Sequence, residues 1–163
     1  MKINKKTLLL FLVSSALFFS AQQKTVSTQI NFKQPYCGGA RPSAEMLAEA
    51  EMAKPYAGKT IIIVSSKGKV DSSKTNSKGL FSANLNIGTY KVYEAWRYYK
   101  KGASGMAVSD FNKKCLKKEW KKEILQIIVT EKDTKIVDKN EIIIVCPWNL
   151  PCILETKKSP MPE

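Results

Sequence analysis

Apolar residues change their spacing several times along this chain, and each change marks an element. Phe81, Ala83, Leu85 and Ile87 alternate with Ser82, Asn84 and Asn86. That period of two describes a strand with one face on a core and one in water. Gly88 turns the chain, and Tyr90 to Trp96 reads as the returning strand. Thr60 to Val64 is a β-branched run suited to a strand buried on both faces, with Lys67-Gly68-Lys69 as the turn after it. Ile124 to Thr130 and Glu141 to Cys146 predict two more strands, joined around Glu131-Lys132-Asp133-Thr134, and Thr25 to Phe32 alternates weakly as an edge strand. The period is helical only where Met46, Leu47, Ala50 and Ala53 recur, which predicts a helix over Ala44 to Lys54, capped by Ser43 and ended by Pro55. Gly102 and Gly105 predict a loop over 100–109, and Ser109 to Lys122 a second short helix capped by Ser109 or Asp110. No internal repeat is present. The expectation is a mainly β chain, an antiparallel sandwich with one or two short helices.

The N-terminus follows another logic. Lys2, Lys5 and Lys6 precede an apolar run, Leu8 to Val13 extended by Ala16 to Phe19, and no acid occurs before Glu45. The run is shorter than the roughly 20 residues that span a bilayer, and it fits a secretory leader cut after Ala21. This predicts a leader over 1–21, one folded domain over 22–155 and a flexible Lys/Pro-rich tail over 156–163. Periplasmic or secreted localisation follows, without an integral membrane segment after removal of the leader.

Charge and cysteines narrow the chemistry. The formal net charge is +13, of which the leader lysines Lys2, Lys5 and Lys6 supply three, leaving +10. Lysine carries nearly all of it, Arg41 and Arg97 being the two arginines. Readers of bases and phosphates lean on the arginine fork, so nucleic acid is a poor candidate partner. The densest stretch, Lys113, Lys114, Lys117, Lys118, Lys121 and Lys122, reads first as a solvated surface and second as a site for anionic cell-surface polymer. Histidine is absent, which excludes Ser-His-Asp and Cys-His catalysis and imidazole zinc sites. The four cysteines, Cys37, Cys115, Cys146 and Cys152, predict two disulfides in an oxidising compartment. No Cys-x-x-Cys knuckle favours a four-thiolate zinc site instead. Pro147 and Pro151 turn the short segment between Cys146 and Cys152, which suggests that these two pair locally and leave Cys37 to Cys115.

The segment from Lys59 to Tyr93 resembles the carboxypeptidase regulatory-like domain, a transthyretin-like (prealbumin-like) Greek-key β-sandwich. The resemblance lies in Thr75-Asn76-Ser77-Lys78-Gly79-Leu80-Phe81 and Leu85-Asn86-Ile87-Gly88-Thr89-Tyr90, where Asn76 stands for the usual Asp and Asn86 for the usual Pro. It implies positive φ at Gly79 and Gly88 and core-facing rings at Phe81 and Tyr90. Cys37-Gly38-Gly39-Ala40-Arg41-Pro42 and the Cys146–Cys152 close also resemble features of small exported bacterial proteins. No metallopeptidase segment accompanies the match, and the transthyretin-like hydrolases use histidines that this chain lacks, so neither activity carries over.

The expected function is therefore a non-enzymatic binding or scaffold module without cofactor, metal or catalytic residues. Its partner would be an exported protein or a cell-surface glycan. Arg41 in its Gly-rich turn and Trp148 in the Cys-bounded loop are the candidate anchors, since Arg and Trp are enriched at binding hot spots. Trp96, Tyr98 and Tyr99 read as core or strand edge. A carboxylate-based glycan hydrolase is the enzymatic alternative, with Asp71, Asp110, Glu119 and Glu123 as its acids, all of them set among lysines.

Overall fold

A computed structural model describes residues 23–139 and 141–160; the leader prediction lies outside them. Mainly β, the described chain runs β1 (Gln23–Gln29), β2 (Asn31–Lys33), α1 (Ala44–Glu51), β3 (Lys54–Pro55), β4 (Thr60–Ser65), β5 (Val70–Lys74), β6 (Leu80–Asn86), β7 (Gly88–Glu94), α2 (Ala95–Tyr98), α3 (Lys113–Glu119), β8 (Leu125–Val129), β9 (Thr134–Asp138) and β10 (Ile142–Ile143), with four 3-10 turns besides. Five strands form an antiparallel sheet in the order β5-β4-β7-β8-β9. β1 pairs antiparallel with β6, with Val26 opposite Ala83. A small sheet orders β10-β2-β3, and its β10–β2 pair is parallel.

Alternation explains where the core lies. Val26, Phe81 and Leu85 from the β1–β6 pair meet Ile61, Ile63, Val92, Ile127 and Val129 from the larger sheet in one apolar cluster. Ile62, between Ile61 and Ile63, is equally buried on the opposite face, which is why β4 reads as an unbroken apolar run. A second cluster of Ala103, Phe111, Leu116, Leu150 and Ile153 packs under α3 and the C-terminal segment.

The Thr75-to-Phe81 segment turns as its residue types require. Asn76 Oδ1 accepts from the Lys78 and Leu80 amides at 2.9 and 3.0 Å, and Gly79 takes φ 73°. An amide oxygen thus performs the backbone-capping task that a carboxylate could perform. Phe81 is buried as expected, and Gly88 has positive φ. Tyr90 is half-buried, packs on the main cluster and donates its hydroxyl to Asn86 O.

Several boundaries differ from the sequence expectation. Ile30 interrupts the first strand, because its N–H leaves the β1–β6 pairing to reach Gly79 O while its carbonyl accepts from Tyr56 N. β7 stops at Glu94, and Trp96 lies on the single turn of α2. β5 and β9 carry almost no alternation and are strands through pairing with apolar partners. β9 takes the place beside β8 expected for Glu141 to Cys146, of which Ile142–Ile143 alone are strand. Ser43 does cap α1, accepting from Met46 N. The cap of α3 is Asn112 rather than Ser109 or Asp110, its side chain accepting from Cys115 N. Glu155–Lys157 at the start of the expected tail forms a 3-10 turn.

Two disulfides are present, but their pairing is Cys37–Cys146 and Cys115–Cys152, with Cα separations of 5.5 Å in each. The expected local bridge is incorrect, and the reason is strand register. Parallel pairing sets Ile143 beside Lys33, and continuing both strands brings Cys146 alongside Cys37. Phe111 bridges to Ile153, and Asn112 N donates to Cys152 O at 2.8 Å, which sets Cys152 against the first turn of α3 where Cys115 sits. The two closed loops interleave along the sequence, so each bridge ties the C-terminal segment to a different part of the fold.

Candidate functional site around Arg97

Arg97 stands between two concave surfaces. Glu94, the last residue of β7, lies one helical turn before it, and the i,i+3 spacing brings their side chains together: Nε donates to Glu94 Oε2 at 2.7 Å. The guanidinium also donates through Nη1 to the carbonyl and carboxylate of Glu119, at 2.6 and 2.9 Å. The other Glu94 oxygen accepts from the Tyr56 hydroxyl at 2.8 Å. Tyr56 is held there by its own backbone, bonded to Ile30 O through its N–H and to the Thr75 hydroxyl through its carbonyl. Trp96 covers the guanidinium, whose carbon lies 4.4 Å from the ring centroid.

Environment follows from this packing. Burial, then the Glu94 charge and the hydrogen bond to it, raise the Tyr56 phenol far above its usual value, so it stays a donor. Burial works to raise Glu119, but hydrogen bonds from Lys122 and Arg97 and their charges outweigh it and hold the acid below its usual value. Glu94 is 8% exposed, and removing its guanidinium partner would leave a buried carboxylate unpaired, a loss on the order of 3 kcal/mol. The cluster therefore presents a hydrogen-bonded frame, both carboxylates engaged by cations.

Behind this frame a cleft of about 340 Å³ runs between α2 and the C-terminal segment, lined by Tyr56, Lys59, Trp96, Ser104, Val145 and Leu150 among others. Ser104, at its rim, takes φ 53°, as does Lys100 at the end of α2; non-glycine residues in this region are held there by surrounding structure. In front of the frame lies a groove of about 410 Å³ lined by Lys91, Tyr93, Tyr98, Lys100, Trp120 and Lys121, together with Val64 and Arg97.

The anchors named from sequence lie elsewhere. Arg41 is exposed in the turn before α1, Trp148 is half-buried in the 3-10 turn Pro147–Asn149, and neither lines the cleft or the groove. The candidate acids are dispersed onto cations: Asp110 faces Lys157, Glu119 faces Arg97 and Lys122, and Glu123 faces Lys91, while Asp71 is exposed on β5. Sequence reasoning missed Tyr56 and Glu94. The i,i+3 Glu94–Arg97 pair was the available signal, obscured by reading the segment as strand. Among the described residues no group of three or more Cys, Asp or Glu is placed to hold a metal ion, and no helix is long and apolar enough to cross a membrane.

No protein-family model, curated protein or solved structure matches this chain.

Proposed function

We propose that the protein is a non-enzymatic binding or scaffold module of the exported compartment, built as a carboxypeptidase regulatory-like, Greek-key β-sandwich. Two features support the fold reading: the β1–β6 pair shares one core with the five-stranded sheet, and Gly79 takes the positive φ that the resemblance implies, in a turn capped by Asn76. Two disulfides support the compartment, since such bridges persist where thiols are oxidised.

The observation that carries the binding role is the frame around Arg97. It shapes two concave surfaces from aromatic rings and fixed donors, and it engages the nearby carboxylates with cations. A glycan hydrolase needs two acids facing one bond, one of them free to give up a proton. Binding needs only the fixed shape.

Nitrogen-resolved NMR on the oxidised protein tests this with pools of exported-type peptides and glycans. A ligand should move the Trp96 and Trp120 indole signals saturably and be recovered unchanged. Chemical conversion of any pool member, abolished by Glu119→Gln, would refute the reading.

A further inference from the structure

The groove in front of Arg97 combines aromatic rings with lysines. Three half-buried rings, Tyr93, Tyr98 and Trp120, share it with three exposed lysines, Lys91, Lys100 and Lys121. The polar atom of Trp120 is already engaged, Nε1 donating to Lys101 O at 2.9 Å, so what it offers to the groove is ring. Tyr98 is braced by an edge contact with Tyr99 at 5.2 Å between centroids. Lys100 is placed by a left-handed backbone turn, and the following amide, Lys101 N, closes that turn onto Trp96 O at 2.9 Å. Lys91 pairs with Glu123, whereas none of the ion pairs among the described residues engages Lys100 or Lys121. Along α3, exposed Lys113, Lys114, Lys117 and Lys118 extend the positive surface.

From this juxtaposition we infer that the groove binds an anionic polysaccharide, whose sugar faces lie on the aromatic rings while its carboxylate or sulfate groups meet Lys100 and Lys121. The inference rests on the binding-module reading and specifies its ligand. Ring faces accept the apolar side of a pyranose, and lysine supplies a compact charge suited to a scattered anion rather than the fork that grips a phosphate pair. The arginine in the groove is already committed to Glu94 and Glu119. Single-stranded nucleic acid also uses rings and cations. A disulfide-stapled protein, however, meets surface glycan in its own compartment.

Calorimetric titration of the oxidised protein with size-defined oligogalacturonate tests the proposal, alongside chondroitin sulfate, neutral dextran and an oligothymidylate of similar length. Binding should be saturable for an acidic glycan, absent for dextran, and weaker as salt rises. A Lys100→Ala/Lys121→Ala double variant should lose about tenfold in affinity. So should Tyr98→Ala, provided its thermal midpoint shows it folded. Lys132→Ala/Lys135→Ala, with the same charge change outside the groove, should stay within about twofold. The lysine pair decides the case if Tyr98→Ala does not fold. Equal loss in the two double variants would overturn the site, because net charge alone would then explain binding. Tighter binding of oligothymidylate, or no binding of either acidic glycan, would overturn the ligand class. Cleavage of the bound glycan would instead refute the non-enzymatic role. A pool ligand that bound only at the rear cleft would leave that role standing and remove this inference alone.

Discussion

Replacing Gly79 by alanine should be among the most damaging single changes to this fold. Gly79 sits at φ 73°, where a side chain costs about 1 kcal/mol. A Cβ there would be driven into the Ile30 carbonyl oxygen and would stand 3.0 Å from Tyr56 N and 3.3 Å from Pro55 Cα. Those backbone atoms cannot swing aside as a side-chain tip can. Tyr56 N donates to Ile30 O in one hydrogen bond, and Ile30 N donates to Gly79 O in the bond beside it, both 2.9 Å. Losing both adds about 2 kcal/mol, for a total of about 3 kcal/mol. Gly58 is the control: its φ is 68°, but nothing lies within 4 Å of its virtual Cβ, so Gly58→Ala should cost only the backbone component, about 1 kcal/mol. Urea unfolding under oxidising conditions reads both, and a slope near 1.5 kcal/mol per molar would give midpoint drops of about 2 M and 0.7 M. Because the added Cβ would also press on the backbone of Tyr56, Gly79→Ala should shift the Trp96 indole signal while Gly58→Ala leaves it in place. Equal midpoint shifts would refute the steric argument and leave Gly79 an ordinary turn glycine.

Two further outcomes follow from the same geometry. Non-reducing peptide mapping should recover Cys37 linked to Cys146 and Cys115 linked to Cys152, closing loops of 109 and 37 residues worth about 4.8 and 3.8 kcal/mol in the chain-entropy picture. A Cys146–Cys152 peptide would contradict the parallel register of β10 on β2. The folded protein keeps the Tyr56 phenol protonated where the unfolded chain, near pH 10.0, releases it. Its contribution is thus complete below pH 10 and falls by up to about 1.4 kcal/mol per pH unit above that. Urea midpoints of wild type and Tyr56→Phe should accordingly differ at pH 8 and converge by about pH 11.5; parallel curves would show that Tyr56 ionises as freely in the fold as out of it.

Local chemistry was enough to determine much of the β framework. β4 and β6 are legible because a strand's side chains alternate by geometry, so burial on one face or two writes itself into the residue order. Ser43 and the Asn76-to-Gly79 turn are legible because capping and left-handed backbone each call for particular residue types within a few positions. The even cysteine count, together with the predicted export, implied the two disulfides. What tertiary structure decided was every pairing between distant segments. β5 and β9 have little pattern of their own and became strands because β4 and β8 offered edges to them. The disulfide partners were settled by the parallel meeting of β10 with β2 and by the Phe111–Ile153 bridge, across separations of roughly 110 and 40 residues. The Tyr56–Glu94–Arg97–Glu119 frame likewise joins residues up to 63 positions apart. A hydrogen bond or a disulfide reads only distance and direction in space, and the sequence leaves no periodic trace of two side chains that meet once.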